Sequence, residues 1–258
     1  MNLRKPPTPP TYIIYENNVV FDKDFNQSIE PFIDIISQHR GLIFSDKTIS
    51  SSYDIFSDSY IKTVEGYDTS GISIIFNEPI NFLPNNLKII ILASHFDQYI
   101  ALPDKLEEFR MGSRFNQSIV LPNTLKKLVI GYSFNQEIDL PFGLEELTIM
   151  CKKHKVIDYL PHSLKTLNLG RYFDMDLDNL PSGLVYLDFD FKSNFERDLN
   201  NLPNSIKSLG LPKGYHESLI NLPNSIEMLS LSYSYDKTKI NPNIKNIVEC
   251  DLQYGMDF

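Results

Sequence analysis

The sequence predicts a leucine-rich-repeat solenoid: short parallel β-strands on a concave face, extended or 3₁₀ return segments opposite, and no regular helices on the convex side. Three observations carry this. Leu-Pro pairs end at Pro84, Pro103, Pro122, Pro141, Pro161, Pro181, Pro203 and Pro223, with a worn Ile-Asn-Pro at Pro242. Successive prolines stand 19, 19, 19, 20, 20, 22, 20 and 19 residues apart, and a fixed period near 20 marks a stacked repeat. Aliphatic residues then fall three, six and eight positions after the proline, as in Leu125, Leu128 and Ile130 or Leu144, Leu147 and Ile149.

Each element of the period has a local reason. The proline sets φ for a turn, and the Asn-Asn, Asn-Thr, Phe-Gly, Ser-Gly or Asn-Ser that follows turns easily. The last two leucines of Leu-x-x-Leu-x-Leu, two apart, share one face of a short strand. A single coil cannot bury that face alone, so coils must stack. The roughly eleven residues left in each unit are too few for a turn, a regular helix and a second turn. Phe at position twelve (Phe96, Phe115, Phe134 and Phe173, later Tyr215 and Tyr235) is expected inside the turn after the strand. Ile119 with Leu121, and Ile138 with Leu140, alternate with period two and close the core from the other side.

Two further columns fit stacking. The residue after the Phe runs Asn77, Asp97, Asn116, Asn135, then Asp174 and Asp236, with His154, Glu196 and His216 departing from the pattern. Coils about 4.8 Å apart let a short amide or carboxylate bond loop backbone of its own and the next coil, which buried backbone needs. This row reads as a structural ladder, since a metal row would carry more carboxylates. Four residues after each proline stand Lys88, Glu107, Lys126, Glu145, Lys165, Val185, Lys207 and Glu227, mostly alternating in sign, as direct neighbours in a parallel sheet should.

Around this array, residues 1–11 read as a flexible proline-rich tail, 12–70 as an N-terminal cap with atypical coils, 71–239 as the solenoid and 240–258 as a worn coil and lid. Residues 12–21 read as two strands about an Asn-rich turn, and Pro31 through His39 as a short helix. In the tail, Arg4, Pro7 and Pro10 have a spacing that polyproline-binding grooves accept.

Composition narrows the function. The chain has 258 residues, a formal net charge of −9 and two cysteines. No cluster of Lys and Arg suits nucleic acid, no apolar run suits a membrane span, and no signal-type segment opens the chain. Cys151 and His154 lack the second ligand pair of a zinc site. The expected location is the cytoplasm, that of the host for a viral chain. Neither metal nor cofactor is expected.

The stretch Phe76-Asn77-Glu78-Pro79-Ile80, with Phe115-Asn116-Gln117 and Phe134-Asn135-Gln136, resembles the FNIP repeat. This short leucine-rich-repeat variant is characteristic of social amoebae and of giant DNA viruses that infect them. The resemblance implies a protein-binding solenoid and brings no catalytic residues. Some members of the family place an F-box before the repeats, but residues 1–70 lack its Leu-Pro-x-Glu opening and its Trp.

The expected binding surface is the concave face, lined five, seven and nine residues after each proline. Asn168, Arg171, Tyr186, Asp188, Asp190 and Phe191 are the candidate partner-binding residues, because aromatics and charges converge there. The leading reading is a non-enzymatic module that binds a protein. The rivals are a ubiquitin-ligase substrate adaptor with an unrecognisable box, and an enzyme using His39, Asp46 or nearby hydroxyls. An open terminal strand offers a route to a dimer, and the oligomeric state stays open.

Overall fold

The computed structural model describes residues 12–22, 25–45, 76–152 and 154–249. The proline-rich tail, Asp46 and Cys250 lie outside them. Among the described residues, twelve strands run in chain order across one sheet. β1 (Tyr12–Tyr15) and β2 (Asn18–Phe21) form an antiparallel hairpin whose turn holds Glu16 and Asn17 at positive φ. Every later pairing is parallel: β3 (Gly41–Phe44), β4 (Ile89–Ile91), β5 (Glu108–Arg110), β6 (Lys127–Ile130), β7 (Glu146–Ile149), β8 (Thr166–Leu169), β9 (Tyr186–Phe189), β10 (Ser208–Gly210), β11 (Met228–Leu231) and β12 (Ile247–Glu249). The chain is a right-through stack of short coils with very little helix.

Two turns in each coil make this geometry. The first closes from the proline carbonyl to the amide three residues on, for example Leu125 N–H to Pro122 O at 3.1 Å and Leu184 N–H to Pro181 O at 3.0 Å. It delivers the first leucine of the triplet into the core. The second turn, after the strand, closes onto the aromatic residue: Phe96 N–H to Ala93 O at 3.1 Å, Phe115 N–H to Gly112 O at 3.2 Å, Tyr215 N–H to Pro212 O at 3.1 Å. Coils approach closely at this second corner, where a Cβ on Gly112 would stand 1.9 Å from the Ala93 carbonyl oxygen.

The core is one continuous column. Phe76, Phe96, Phe115 and Phe134 are buried and stack nearly face to face, with centroids 5.8, 6.3 and 6.2 Å apart and planes within 8° of parallel. Beside them, Leu87, Leu106, Leu125, Leu144 and Leu164 repeat one buried position, and Leu128, Leu147, Leu167 and Leu187 repeat another in strand register. At the N-terminal end Phe21, Phe25, Phe32 and Phe44 interlock, and Phe44 stacks on Phe76 at 4.3 Å, so the hairpin cap continues the same column.

The expected helix over Pro31–His39 is shorter than its pattern. A 3₁₀ turn at Glu30–Phe32 runs into a single α-turn, α1 (Ile33–Ile36). Only Ile36 is buried along it, so one apolar contact face holds it and nothing extends it. Elsewhere, the described return segments contain just the 3₁₀ turns Lys155–Tyr159 and Lys237–Lys239.

Phe115 is fully buried between two parallel rings, with Phe109 edge-on to it. Phe115→Ala is expected to cost about 3–5 kcal/mol, the range for truncating a buried aromatic. Denaturant melts should show the loss, with an exposed change such as Phe142→Ala leaving stability nearly unaltered.

Candidate functional site: the concave face and its supporting ladders

Strand register places the middle outward column in one line: Ile91, Arg110, Val129, Thr148, Asn168, Asp188, Gly210, Ser230. The column beside it runs Ile89, Glu108, Lys127, Glu146, Thr166, Tyr186, Ser208, Met228. This face is not uniformly open. At the N-terminal end Val20, Ile43 and Ile91 are buried in a second small apolar cluster with Ile13, Tyr15 and Ile89 packed on it.

The charges on the face divide in two. Over β5 to β7 they pair among themselves, Arg110 Nε with Glu108 at 2.7 Å and Lys127 Nζ with Glu146 at 2.8 Å. Over β8 to β11 the two columns carry one charge, Asp188, with Asp190 one turn beyond it. No Lys or Arg among the described residues forms an ion pair with either. Desolvation, aided by Asp190, pushes the half-buried Asp188 carboxyl up to about 7.

The six candidate residues meet different fates. Tyr186 is half exposed on the strand, and Asp188 is partly buried beside it. Asn168 is 9% exposed, so it is recessed and not an open contact residue as its column position suggested. Its Nδ2 donates to Thr148 Oγ1 at 3.3 Å, while its buried Oδ1 has no hydrogen-bond partner. Asp190 and Phe191 occupy a widened corner: the coil of 22 residues places its two extra residues between β9 and the core Phe195, and the turn closes onto Ser193 instead. Asp190 Oδ1 there accepts the Lys192 N–H at 2.7 Å. Arg171 is exposed in the preceding corner, its guanidinium 5.7 Å from the Tyr172 ring.

The amide row behind the face works coil to coil. Asn77 Oδ1 accepts the Asp97 N–H at 2.8 Å, Asp97 Oδ1 the Asn116 N–H at 2.9 Å, and Asn116 Oδ1 the Asn135 N–H at 3.0 Å. Gln117 and Gln136 reinforce it by donating to Asp97 Oδ1 and Asn116 Oδ1. Asn135 instead accepts from its neighbour Gln136, and Asp174 is clamped by Arg197, which also reaches Asp176 at 2.8 Å. The row therefore changes partner type where the coil length changes.

His154 explains the change. Its place in the period suggested a departure within the amide row, but the ring has entered the aromatic column, 5.4 Å from Phe134 and within 17° of parallel. One extra residue after β7 moves it there. Nε2 meets the Gln136 carbonyl at 3.0 Å and Nδ1 accepts the Val156 N–H at 3.1 Å, which defines the neutral tautomer. Burial lowers its proton affinity. Sequence reading missed this role and that of Arg197; coil lengths of 20 and 22 in place of 19 were the available signal.

The charge column four residues after the proline pairs at Lys88–Glu107 (2.7 Å), Lys126–Glu145 (2.9 Å) and Lys207–Glu227 (2.7 Å). These pairs are solvent-facing and contribute modestly. In the N-terminal cap, His39 Nδ1 lies 2.6 Å from the Ile35 carbonyl, closing a helix end. Among the described residues no group of three His, Cys, Asp or Glu could hold a metal ion, and no helix is long and apolar enough to cross a membrane.

Because the folded pKa of His154 is depressed, its neutral form contributes stability above about pH 6.5, the unfolded value. That contribution is lost as pH falls from there through the folded value. Stability measured by denaturant between pH 7 and 5 should decline, and His154→Phe, which keeps the stack, should flatten that part of the profile.

Residues 115–152 and 156–192 match the family model of the FNIP repeat. No curated protein matches the chain. The crystal structure of CroV588, described as a novel circular LRR protein and coming from a giant virus, superposes with a TM-score of 0.63 at 26% identity. That likeness covers 92% of this chain but 40% of the other, so the chain spans about two fifths of that protein's length. Two adjacent spans of the chain are thus FNIP repeats, in a chain wound as a leucine-rich-repeat-type solenoid.

Proposed function

We propose that the chain is a non-enzymatic binding module that recognises a protein partner through its concave face. The observation that carries this reading is the contrast within that face. Its charges over β5 to β7 satisfy one another, whereas β8 to β11 present a half-exposed Tyr186 and two carboxylates with no cation beside them. Tyr is a residue type favoured at binding hot spots, where it contributes area at little entropic cost.

The groups with shifted proton affinity do not converge as catalytic groups do. Both His154 nitrogens are engaged with backbone, Cys151 is buried with its thiol pushed up to about 11, and Tyr215 and Tyr235 donate to the carbonyls of Arg197 and Glu217. These are structural bonds. Residues 12–22 and 25–45 pack into the same aromatic column as the later coils. The cytoplasm is the compartment this reading assumes.

Exposed apolar residues also occur outside the concave face. Phe82, Ala101, Val120 and Tyr159 share one position two residues before the proline, interrupted by Asp139, and Tyr99, Ala101 and Val120 line a cleft of about 450 Å³ between two return segments.

Affinity capture with the purified chain, followed by titration of any captured protein against variants, tests the proposal. Tyr186→Ala combined with Met228→Ala should weaken binding about tenfold or more, and Val120→Ser combined with Phe142→Ser less than about twofold. The reverse order would place the interface elsewhere.

A further inference from the structure

The corners that follow the strands form a rim beside the concave face, and charge is arranged there unlike anywhere on the sheet. Each such corner is a turn that carries its two central residues at the tip. It closes from Phe115 N–H to Gly112 O at 3.2 Å, Phe173 N–H to Gly170 O at 3.0 Å, Ser193 N–H to Asp190 O at 2.8 Å and Tyr215 N–H to Pro212 O at 3.1 Å. Arg114, Arg171, Lys192 and Lys213 occupy these tips and are exposed, as is Lys152 in the bend after β7. Backbone hydrogen bonds join successive corners, Arg114 N–H to Ser94 O at 2.9 Å, Ser133 N–H to Ser113 O at 3.0 Å and Lys213 N–H to Phe191 O at 2.9 Å, so the cations stand in one file. Lys152, Arg171, Lys192 and Lys213 lie 19, 21 and 21 residues apart along the chain, and no cluster shows in the sequence for that reason.

Elsewhere a cation is matched by the neighbouring coil, as in Lys88–Glu107, Lys126–Glu145 and Lys207–Glu227. On the rim, like charge follows like charge over four consecutive coils, an order that neighbouring strands disfavour. None of the five cations forms an ion pair with a described residue. The one carboxylate within these turns, Asp190, has its Oδ1 on the Lys192 backbone N–H at 2.7 Å. Aromatic rings share the tips: Tyr132, Tyr172, Phe191 and Tyr233, with Tyr172 and Tyr233 more than half exposed. Tyr132 and Tyr172 meet at 6.0 Å across the coil of Lys152, and the Arg171 guanidinium lies 5.7 Å from the Tyr172 ring. A chain of net charge −9 thus keeps a file of unneutralised cations and open rings along one rim.

Spacing selects the shape of what this file fits. Coils repeat every ~4.8 Å, whereas an extended chain presents one face every ~6.7 Å and falls out of step by about 6 Å over three intervals. An α-helix returns to one face every turn of about 5.4 Å and drifts by about 2 Å over the same span, which long Lys and Arg side chains take up. We infer that the rim receives an acidic α-helix of the protein partner, laid along the file, with an Asp or Glu in each turn set against one coil's cation and apolar side chains set against Tyr172, Phe191 and Tyr233. This docking rests on the reading of the chain as a protein-binding module and assigns the partner a charge and a shape.

The probe is a fluorescein-labelled, capped helical peptide of about sixteen residues with one Glu per turn on a single face, Leu beside it and an Ala and Gln background. Titrated with the full chain and read by anisotropy, it should bind saturably, with Kd on the order of 0.1–1 mM at about 50 mM salt. Binding should weaken about tenfold at about 200 mM salt. The all-Gln peptide should not bind, and a peptide with the same Glu residues spread round the helix should bind at least about threefold more weakly. Lys152→Gln, Arg171→Gln and Lys192→Gln together should weaken binding roughly tenfold or more. Lys88→Gln, Lys126→Gln and Lys207→Gln together, which remove the same charge from matched pairs, should change it less than about twofold. Equal weakening by both triple variants, equal binding of the spread-Glu peptide, or no saturable binding overturns the inference. Tighter binding of an oligouridylate of the same charge at the same salt overturns it in favour of nucleic acid. The concave-face reading is decided separately, by Tyr186→Ala with Met228→Ala against a captured protein, so the two can fail independently.

Discussion

A coil of nineteen or twenty residues cannot cover its own leucines. Everything in this molecule depends on the next coil arriving in register, one strand spacing away, with the same residue over the same residue. Parallel pairing imposes that registry through the backbone, and the two i to i+3 turns fix where each coil bends. Stacked phenylalanines, leucines over leucines, and Asn or Asp side chains accepting amides of the following coil are consequences of that one constraint. The same registry lines up the concave columns, so the geometry of that face is set by the packing beneath it.

Where a coil departs from nineteen residues, the molecule adjusts locally and keeps the strands in step. The extra residue after β7 is absorbed by a 3₁₀ turn and by His154, whose flat ring substitutes for phenylalanine while its nitrogens replace the amide bonds. The extra residues after β9 widen the corner holding Asp190 and Phe191 and hand the ladder to Arg197. The most irregular coil thus flanks the part of the concave face where Asp188 and Asp190 form no ion pair with the described Lys and Arg residues.

Much of this was legible in the chain. Proline spacing named the coil, the Leu-x-x-Leu-x-Leu triplet named the strand, and the Phe-Asn pair named the column and most of the ladder, because each property depends only on position within the period. The fate of individual columns was less legible. Asn168 belongs to an outward column yet is recessed, since Thr148 and Asp188 crowd it from the neighbouring strands. His154 belongs by count to the ladder yet stacks with phenylalanines, since a single inserted residue rotates its place. Such outcomes depend on neighbours nineteen or twenty residues away and not on local pattern.

The central claim is the registry itself, and it can be tested without reference to any partner. Cysteines placed at Lys127 and Glu146, which are register partners on adjacent strands, should form a disulfide readily, since paired parallel strands hold their Cα atoms within the roughly 4.4–6.8 Å that a disulfide spans. Cysteines at Lys127 and Thr166, two strands apart, should not. Cross-linking at both pairs alike, or at neither, would contradict the stacked-coil account.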